Sequence, residues 1–240
     1  MAPRFYTPQA QFEIGQKTLL TKEARHHAGR VLRMVAGDSA TLFDGAGLEA
    51  DGPIAFEGQD AWITVETIRR PACESPVAMT LVQALVSPEK MDWIVEKAVE
   101  LGVVRIVAVP ARRSVTKLTG DRLTKRIAHW TDVAVSACEQ CGRAVVPTIE
   151  YLSLAEALQT VTADARLMLA PGAQTKPSLV GLQSAGFAVG PEGGFDEEEI
   201  ALASSLGWTS TLMGPRVLRT ETAGIVAAAL IGAASGDLTG

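Results

Sequence analysis

From Val77 onward, short apolar runs alternate with longer segments whose apolar residues recur at helical spacing. The runs are Met79 to Val86, Val103 to Val109, Arg166 to Ala170, Phe187 to Gly190 and Thr211 to Met213. Between the first two, Glu89 to Leu101 has a helical period and is followed by Gly102, the residue type that ends helices in a left-handed conformation. A longer helix is predicted over Asp121 to Cys141, again stopped by a glycine, Gly142. Strand and helix repeated in this way predict an α/β domain with a mostly parallel sheet.

The first 70 residues follow a different rhythm. Strands are predicted at Thr18 to Leu20, Ala40 to Phe43 and the alternating stretch Ala61 to Ile68, with one small helix and turns at Asp44-Gly45 and Asp51-Gly52-Pro53. That pattern predicts a compact β-barrel. The polar, proline-containing stretch Arg69 to Pro76 has no period and reads as a linker. The organisation expected is therefore a β-domain over 1–70, a linker over 71–76 and an α/β domain over 77–240.

Two strands near the carboxyl end stop in the same way, Phe187-Ala188-Val189-Gly190-Pro191-Glu192-Gly193-Gly194 and Thr211-Leu212-Met213-Gly214-Pro215-Arg216. In open α/β sheets ligands bind beyond the carboxyl ends of strands, where glycine lets backbone line the pocket. Phosphate is a poor match for the first turn, which has neither nucleotide-binding glycine fingerprint. Glu192 lies in it, and Asp196, Glu197, Glu198 and Glu199 open the next helix, with Asp196 and Glu199 spaced as a capping pair. An ordinary capped turn accounts for the same residues without a ligand. After the second turn, Thr220 is the expected N-cap of an alanine-rich helix. Arg219 and Glu221 flank it, where they suit either a site or a surface ion pair.

Composition narrows the class. The chain has 240 residues, is 47% hydrophobic and carries a net charge of -5, which excludes coating of nucleic acid by bulk positive charge. The charge is segregated, however. Residues 22–33 hold Lys22, Arg25, Arg30, Arg33, His26 and His27, and residues 105–126 hold seven Lys and Arg against one acid. Two basic runs favour a polyanion-binding face with strong salt dependence, although solvated surfaces also produce them. The amino-terminal residues lead into no long apolar stretch, so the expectation is cytoplasmic, with no membrane. Cys73, Cys138 and Cys141 make an odd number and favour reduced thiols; with only three histidines, no metal is expected. Trp93 and Trp130 fall within helical patterns and read as core anchors.

Gly190-Pro191-Glu192-Gly193-Gly194-Phe195, followed by Leu218-Arg219-Thr220-Glu221-Thr222-Ala223, resembles the signature of the bacterial 16S rRNA uridine-1498 N3-methyltransferases. These belong to the SPOUT superfamily of trefoil-knotted, S-adenosylmethionine-dependent RNA methyltransferases. Further segments are similar in the same order: His26-His27 with Val31-Leu32-Arg33 and Gly37-Asp38, then Lys97 to Gly102, then Glu139-Gln140-Cys141-Gly142-Arg143. The resemblance implies a PUA-like β-barrel, a knotted α/β domain despite the rarity of knots, and a homodimer. It implies S-adenosylmethionine as cofactor, held by Gly190, Pro191, Glu192, Gly193, Gly194, Leu212, Met213, Gly214, Val217 and Leu218.

The same resemblance directs attention to Glu221 for removing the uracil N3 proton or orienting the base, and to Arg219 for binding phosphate or balancing charge on the uracil oxygens. RNA contacts are expected from Arg4, His26, Arg30, Arg33, Arg112, Arg113, Glu139, Gln140 and Arg143. The expected substrate is 16S rRNA in the assembled small ribosomal subunit. A non-catalytic ribosome-assembly factor of the same fold is the alternative, and S-adenosylmethionine titration separates the two. A Rossmann-type nucleotide enzyme is disfavoured by the missing fingerprint.

Overall fold

The computed structural model describes residues 2–238; Met1, Thr239 and Gly240, inside the expected domain limits, lie outside the described residues. The chain forms two compact units. Among the described residues, one comprises those up to 74 together with 135–146, the other 75–134 together with those from 147 onward.

The first unit is built on a curled six-stranded sheet of β1 (Arg4–Tyr6), β2 (Lys17–Leu19), β3 (Ser39–Phe43), β4 (Glu49–Glu57), β5 (Asp60–Thr64) and β6 (Thr67–Arg69). The order is β1-β3-β4-β5-β2, with β6 on β4; β1 and β3 run parallel and the other pairs antiparallel. Phe5, Leu42, Ile54 and Ile63 fill its core. Helix α1 (Lys22–His26) is capped by the Thr21 hydroxyl, which accepts from Ala24 N at 3.1 Å, and passes into a π-helical turn at His27–Val31.

Two local readings are corrected here. Asp51-Gly52-Pro53 is not a turn but lies inside β4, where it pairs with Thr41, Ala40 and Ser39 of β3, and position 52 is glycine because a Cβ there would collide with the Thr64 carbonyl. Ala61 to Ile68 is two strands, since Val65 N turns to Gln16 O and Glu66 N to Asp51 O.

The second unit has six parallel strands, β7 (Ala78–Ala84), β8 (Val103–Val109), β9 (Thr148–Tyr151), β10 (Ala165–Leu169), β11 (Ser184–Val189) and β12 (Thr209–Thr211). Their order is β12-β10-β11-β7-β8-β9. Helices α2 (Pro88–Glu100), α4 (Leu154–Thr160), α5 (Glu197–Ser205) and α6 (Thr220–Ser235) accompany them, with α3 (Gly120–Cys141) up to residue 134, its last residues belonging to the first unit. Leu158, Ala203 and Trp208 share one buried cluster with Val82, Val107, Met168 and Ala188. Helix α2 packs on α6, and α6 on β7 and β11. Trp130 is buried as expected, but Trp93 is 40% exposed, because α2 turns Met91, Ile94, Val95, Ala98 and Val99 inward and 93 falls off that stripe.

The strand order forces a crossing. β12 lies outside β10, while α6 returns to β7 and β11, so residues 212–219 must pass the carboxyl end of β10. The connection from β10 to β11 meets them there: Thr175 O accepts from Leu212 N at 3.4 Å and from the Thr211 hydroxyl at 2.9 Å. The fold class is the one expected, a PUA-like half-barrel and a SPOUT-type α/β unit, with these two connections crossing at the sheet end.

Candidate active site

The crossing encloses a cavity of about 340 Å³ at the carboxyl ends of β10, β11 and β12. Leu169, Val189, Leu212, Val217 and Leu218 give it apolar walls, and Lys90, Glu192, Arg216, Arg219 and Glu221 give it charged ones. Of the residues expected to hold a cofactor, Gly190, Pro191, Glu192, Gly194, Leu212, Met213, Val217 and Leu218 line it; Gly193 and Gly214 do not. Arg219 and Glu221 line it as well.

The first turn is fixed by partners on every side. Gly190 is buried, and a Cβ there would stand 2.9 Å from Phe195 N and 3.0 Å from Gly194 C, so only glycine fits. Arg113 Nη1 donates to Gly193 O at 2.8 Å. Asp196 and Glu199 form the capping box expected of them, at 2.8 Å in both directions. Arg112 is drawn into the same acidic cluster, its amide donating to Glu199 at 2.9 Å and its guanidinium meeting Asp196 and Glu198.

Thr220 departs from its expected role. Arg219 is the N-cap, α6 begins at Thr220, and the buried Thr220 hydroxyl donates to Gly190 O at 2.6 Å while accepting from Gln83 Nε2 at 3.1 Å. Gln83 Nε2 also donates to Ala84 O at 3.0 Å. A buried chain of hydrogen bonds thus links β7, α6 and the first turn. Gln83 was legible as a polar residue inside the apolar run Leu81 to Val86, a placement that needs a buried partner.

Lys90, in the first turn of α2, is the site residue with no motif to mark it. Its ammonium lies 2.8 Å from Glu192 Oε1 and 3.4 Å from Glu221 Oε2. The hydrogen bond to Glu192 raises the Lys90 pKa, and the same bond lowers that of Glu192. The Arg219–Glu221 ion pair considered from sequence is not among the salt bridges of the described residues; Lys90 takes that place.

The residues expected to contact RNA divide into two sets. His26, at the end of α1, Arg30, on the π-helical turn, and Arg33, just after it, are exposed beside exposed Val31 and Leu32, and Arg33 adopts a left-handed φ of 56°. Gln140 is also exposed. Arg4 and Arg143 are not available in this way, a correction to the sequence reading. Arg4 is 8% exposed and Arg143 2%, both at the end of networks that satisfy their charge. Arg4 pairs with buried Glu49 and donates to Arg143 O at 2.9 Å, while Arg143 pairs with Glu74 at 2.8 Å. Glu139 accepts from Tyr6 N at 3.1 Å, and burial pushes its carboxyl up. Most of the polar groups of Glu139 to Arg143 are therefore used inside the first unit. Cys138, just before this segment, is buried, and burial pushes its thiol up to about 12.

A family model described as an RNA methyltransferase domain matches residues 73–232, and an RNA methyltransferase PUA domain model matches residues 20–60. The chain belongs to this RNA methyltransferase family. Among its relatives, the ribosomal RNA small subunit methyltransferase E of Mycobacterium bovis is 31% identical over 92% of this chain and 87% of its own. The protein of the same name from Bacillus subtilis is 29% identical over 92% and 91%. Two solved methyltransferases are similar throughout. One from Legionella pneumophila, in complex with bound S-adenosylmethionine, superposes with a TM-score of 0.91 at 32% identity, covering 98% of each chain. A ribosomal RNA small subunit methyltransferase E from Neisseria gonorrhoeae, also bound to S-adenosylmethionine, gives 0.87 at 33% identity over 96% and 97%.

Proposed function

We propose that this RNA methyltransferase transfers the methyl group of S-adenosylmethionine to N3 of one uridine of small-subunit ribosomal RNA, the position numbered 1498 in 16S rRNA. The observation that carries the reading is the cavity at the crossing, which combines apolar walls, a close-approach glycine floor and a pair of carboxylates, Glu192 and Glu221. These features fit the cofactor. Its adenosine needs apolar surface and backbone polar groups, which Leu169, Val189, Leu212 and Leu218 and the backbone of the 190–194 turn would provide.

Bound there, S-adenosylmethionine supplies a methyl carbon already activated by its positive sulfur. The protein's task is then alignment and removal of one proton. The glycine turn and the Val217-Leu218 wall hold one reactant, and positioning of this kind is worth up to about 7–11 kcal/mol in favourable cases. As uracil N3 forms its bond to carbon, the carbon–sulfur bond breaks and the N3 proton leaves. Glu221, which lines the cavity, accepts that proton or orients the group that does, and Arg219 faces the uracil oxygens or a flanking phosphate. A general base contributes about 10²–10⁴ in rate. His26, Arg30, Arg33 and Gln140 contact RNA, joined by Arg113; Arg112 has lost much of its positive field to Asp196 and Glu198. The active form is a cytoplasmic homodimer, and the assembled small subunit is preferred over free rRNA because shape supplements few base contacts.

Transfer of labelled methyl to small subunits lacking the modification, followed by mass mapping, tests the proposal. Incorporation at N3 of a single uridine is expected. Transfer to another position, to protein, or to nothing overturns it.

A further inference from the structure

The carboxylate assigned to the chemistry does not stand alone. Glu221 Oε2 is buried and has no hydrogen-bond partner among the described residues, and the Lys90 ammonium at 3.4 Å is the cation that meets it. The same ammonium is hydrogen bonded at 2.8 Å to Glu192 of the first turn. We propose that Lys90 is a positioning residue, which holds the Glu221 carboxylate in one orientation in the cavity wall and ties it to the 190–194 turn. This rests on the reading of Glu221 as the group that serves methyl transfer.

Three features support the assignment. Lys90 lies in the first turn of α2 and Glu221 in the first turn of α6, two helices packed on each other, so the ammonium and the carboxylate approach from rigid elements. Glu192 comes from the other connection bounding the cavity, so one cation joins three separate pieces of chain. Arg219, which also lines the cavity, takes part in no ion pair among the described residues and is left for substrate. A buried carboxylate oxygen without its counter-charge would rotate toward solvent or toward Arg219, out of line with the reacting atoms. The lysine is therefore part of what makes the glutamate useful.

The test uses the full chain. Single-turnover methyl transfer at saturating cofactor and small subunits should fall about tenfold to a hundredfold in Lys90→Met, the scale set by a misplacement of about 1 Å. Lys90→Arg should recover part of the rate, and S-adenosylmethionine affinity by calorimetry should stay within about threefold, since lost orientation moves kcat rather than binding. In a Glu221→Gln background, Lys90→Met should add little, because a residue acting through another shows no effect of its own once that other is gone. Independently of activity, the Lys90 Nζ signal in a lysine-selective NMR spectrum should move in both Glu192→Gln and Glu221→Gln.

Full rate in Lys90→Met, full additivity with Glu221→Gln, or an Nζ signal indifferent to Glu221→Gln would each overturn the inference. Absence of methyl transfer by the wild-type protein would instead sink the proposed function, while the NMR arm would still decide whether Lys90 holds Glu221. Glu192→Gln, at an exposed side chain, provides the variant that keeps the fold if Lys90→Met does not.

Discussion

The two Gly-Pro turns that bound the cavity look alike in sequence and differ in how they are held. The 190–194 turn is fixed: Thr220 binds Gly190 O, Arg113 binds Gly193 O, Lys90 binds Glu192, and Asp196 caps the helix that follows. The second is anchored at its start, by Thr175, and then runs free. Among the described residues no hydrogen bond holds Met213 to Leu218, and Val217 is 75% exposed. A pocket needs both kinds of wall. The first supplies a preformed floor with little ordering cost on binding, and the second supplies apolar surface that gains burial when a ligand arrives.

The contrast can be broken most forcefully at Gly190. An added methyl group meets backbone rather than a flexible side chain, so Gly190→Ala should destabilise by about 1–3 kcal/mol, as overpacking does, and abolish measurable cofactor binding. Thermal unfolding and calorimetry check both halves. If Gly190→Ala binds normally, the floor is not rigid and the contrast fails.

Thr220→Ala is next. It removes a hydroxyl that serves Gly190 O and Gln83 at once, so a loss of about 1–3 kcal/mol is expected, with most of it restored in Thr220→Ser. On the second turn the pattern should invert. Val217→Ala should leave the melting temperature nearly unchanged, within about 0.5 kcal/mol for an exposed position, while weakening cofactor affinity by several-fold to about tenfold for the two methyl groups lost. A stability loss there as large as at Thr220 would erase the distinction.

The smallest effect is electrostatic. Glu192 has its pKa lowered by the hydrogen bond from Lys90, so its contribution to stability is present above the ordinary carboxylate pKa of about 4.3 and is lost as pH falls through the lower folded value. Half-exposed and screened, the pair is worth well under about 1 kcal/mol. Wild type and Glu192→Gln should differ slightly at pH 7 in urea unfolding and converge on acidification through this range.

Much of this was legible before the fold was known. Alternation of apolar runs and helical periods from Val77 gave the α/β unit, Gly102 and Gly142 marked real helix ends with φ of 82° and 90°, and Asp196 with Glu199 announced a capping box. Short-range signals of this kind survive because the groups that satisfy them lie within one turn of chain. Readings failed where distant chain intervened. Gly52 reads as a turn residue until the Thr64 carbonyl is seen to require its missing side chain, and β9 and α4 are too short to stand out by period alone. Arg4 and Arg143 read as surface charge for RNA, because nothing local reveals that Glu49 and Glu74 lie waiting across the first unit.

The sequence by itself marked two glycine-bearing strand ends, which bound a cavity in the structure, showed acidic residues at the helix start after the first of them, and carried the methyltransferase-like segment Leu218 to Ala223. Only the tertiary structure decided how the charges are spent. Lys90, Glu192 and Glu221 are 102 and 131 residues apart from the lysine along the chain, and Gln83 and Thr220 are 137 apart. Hydrogen bonds and ion pairs act over a few ångströms, so their partners are set by which connections cross at the sheet end, a property of topology that no local pattern encodes.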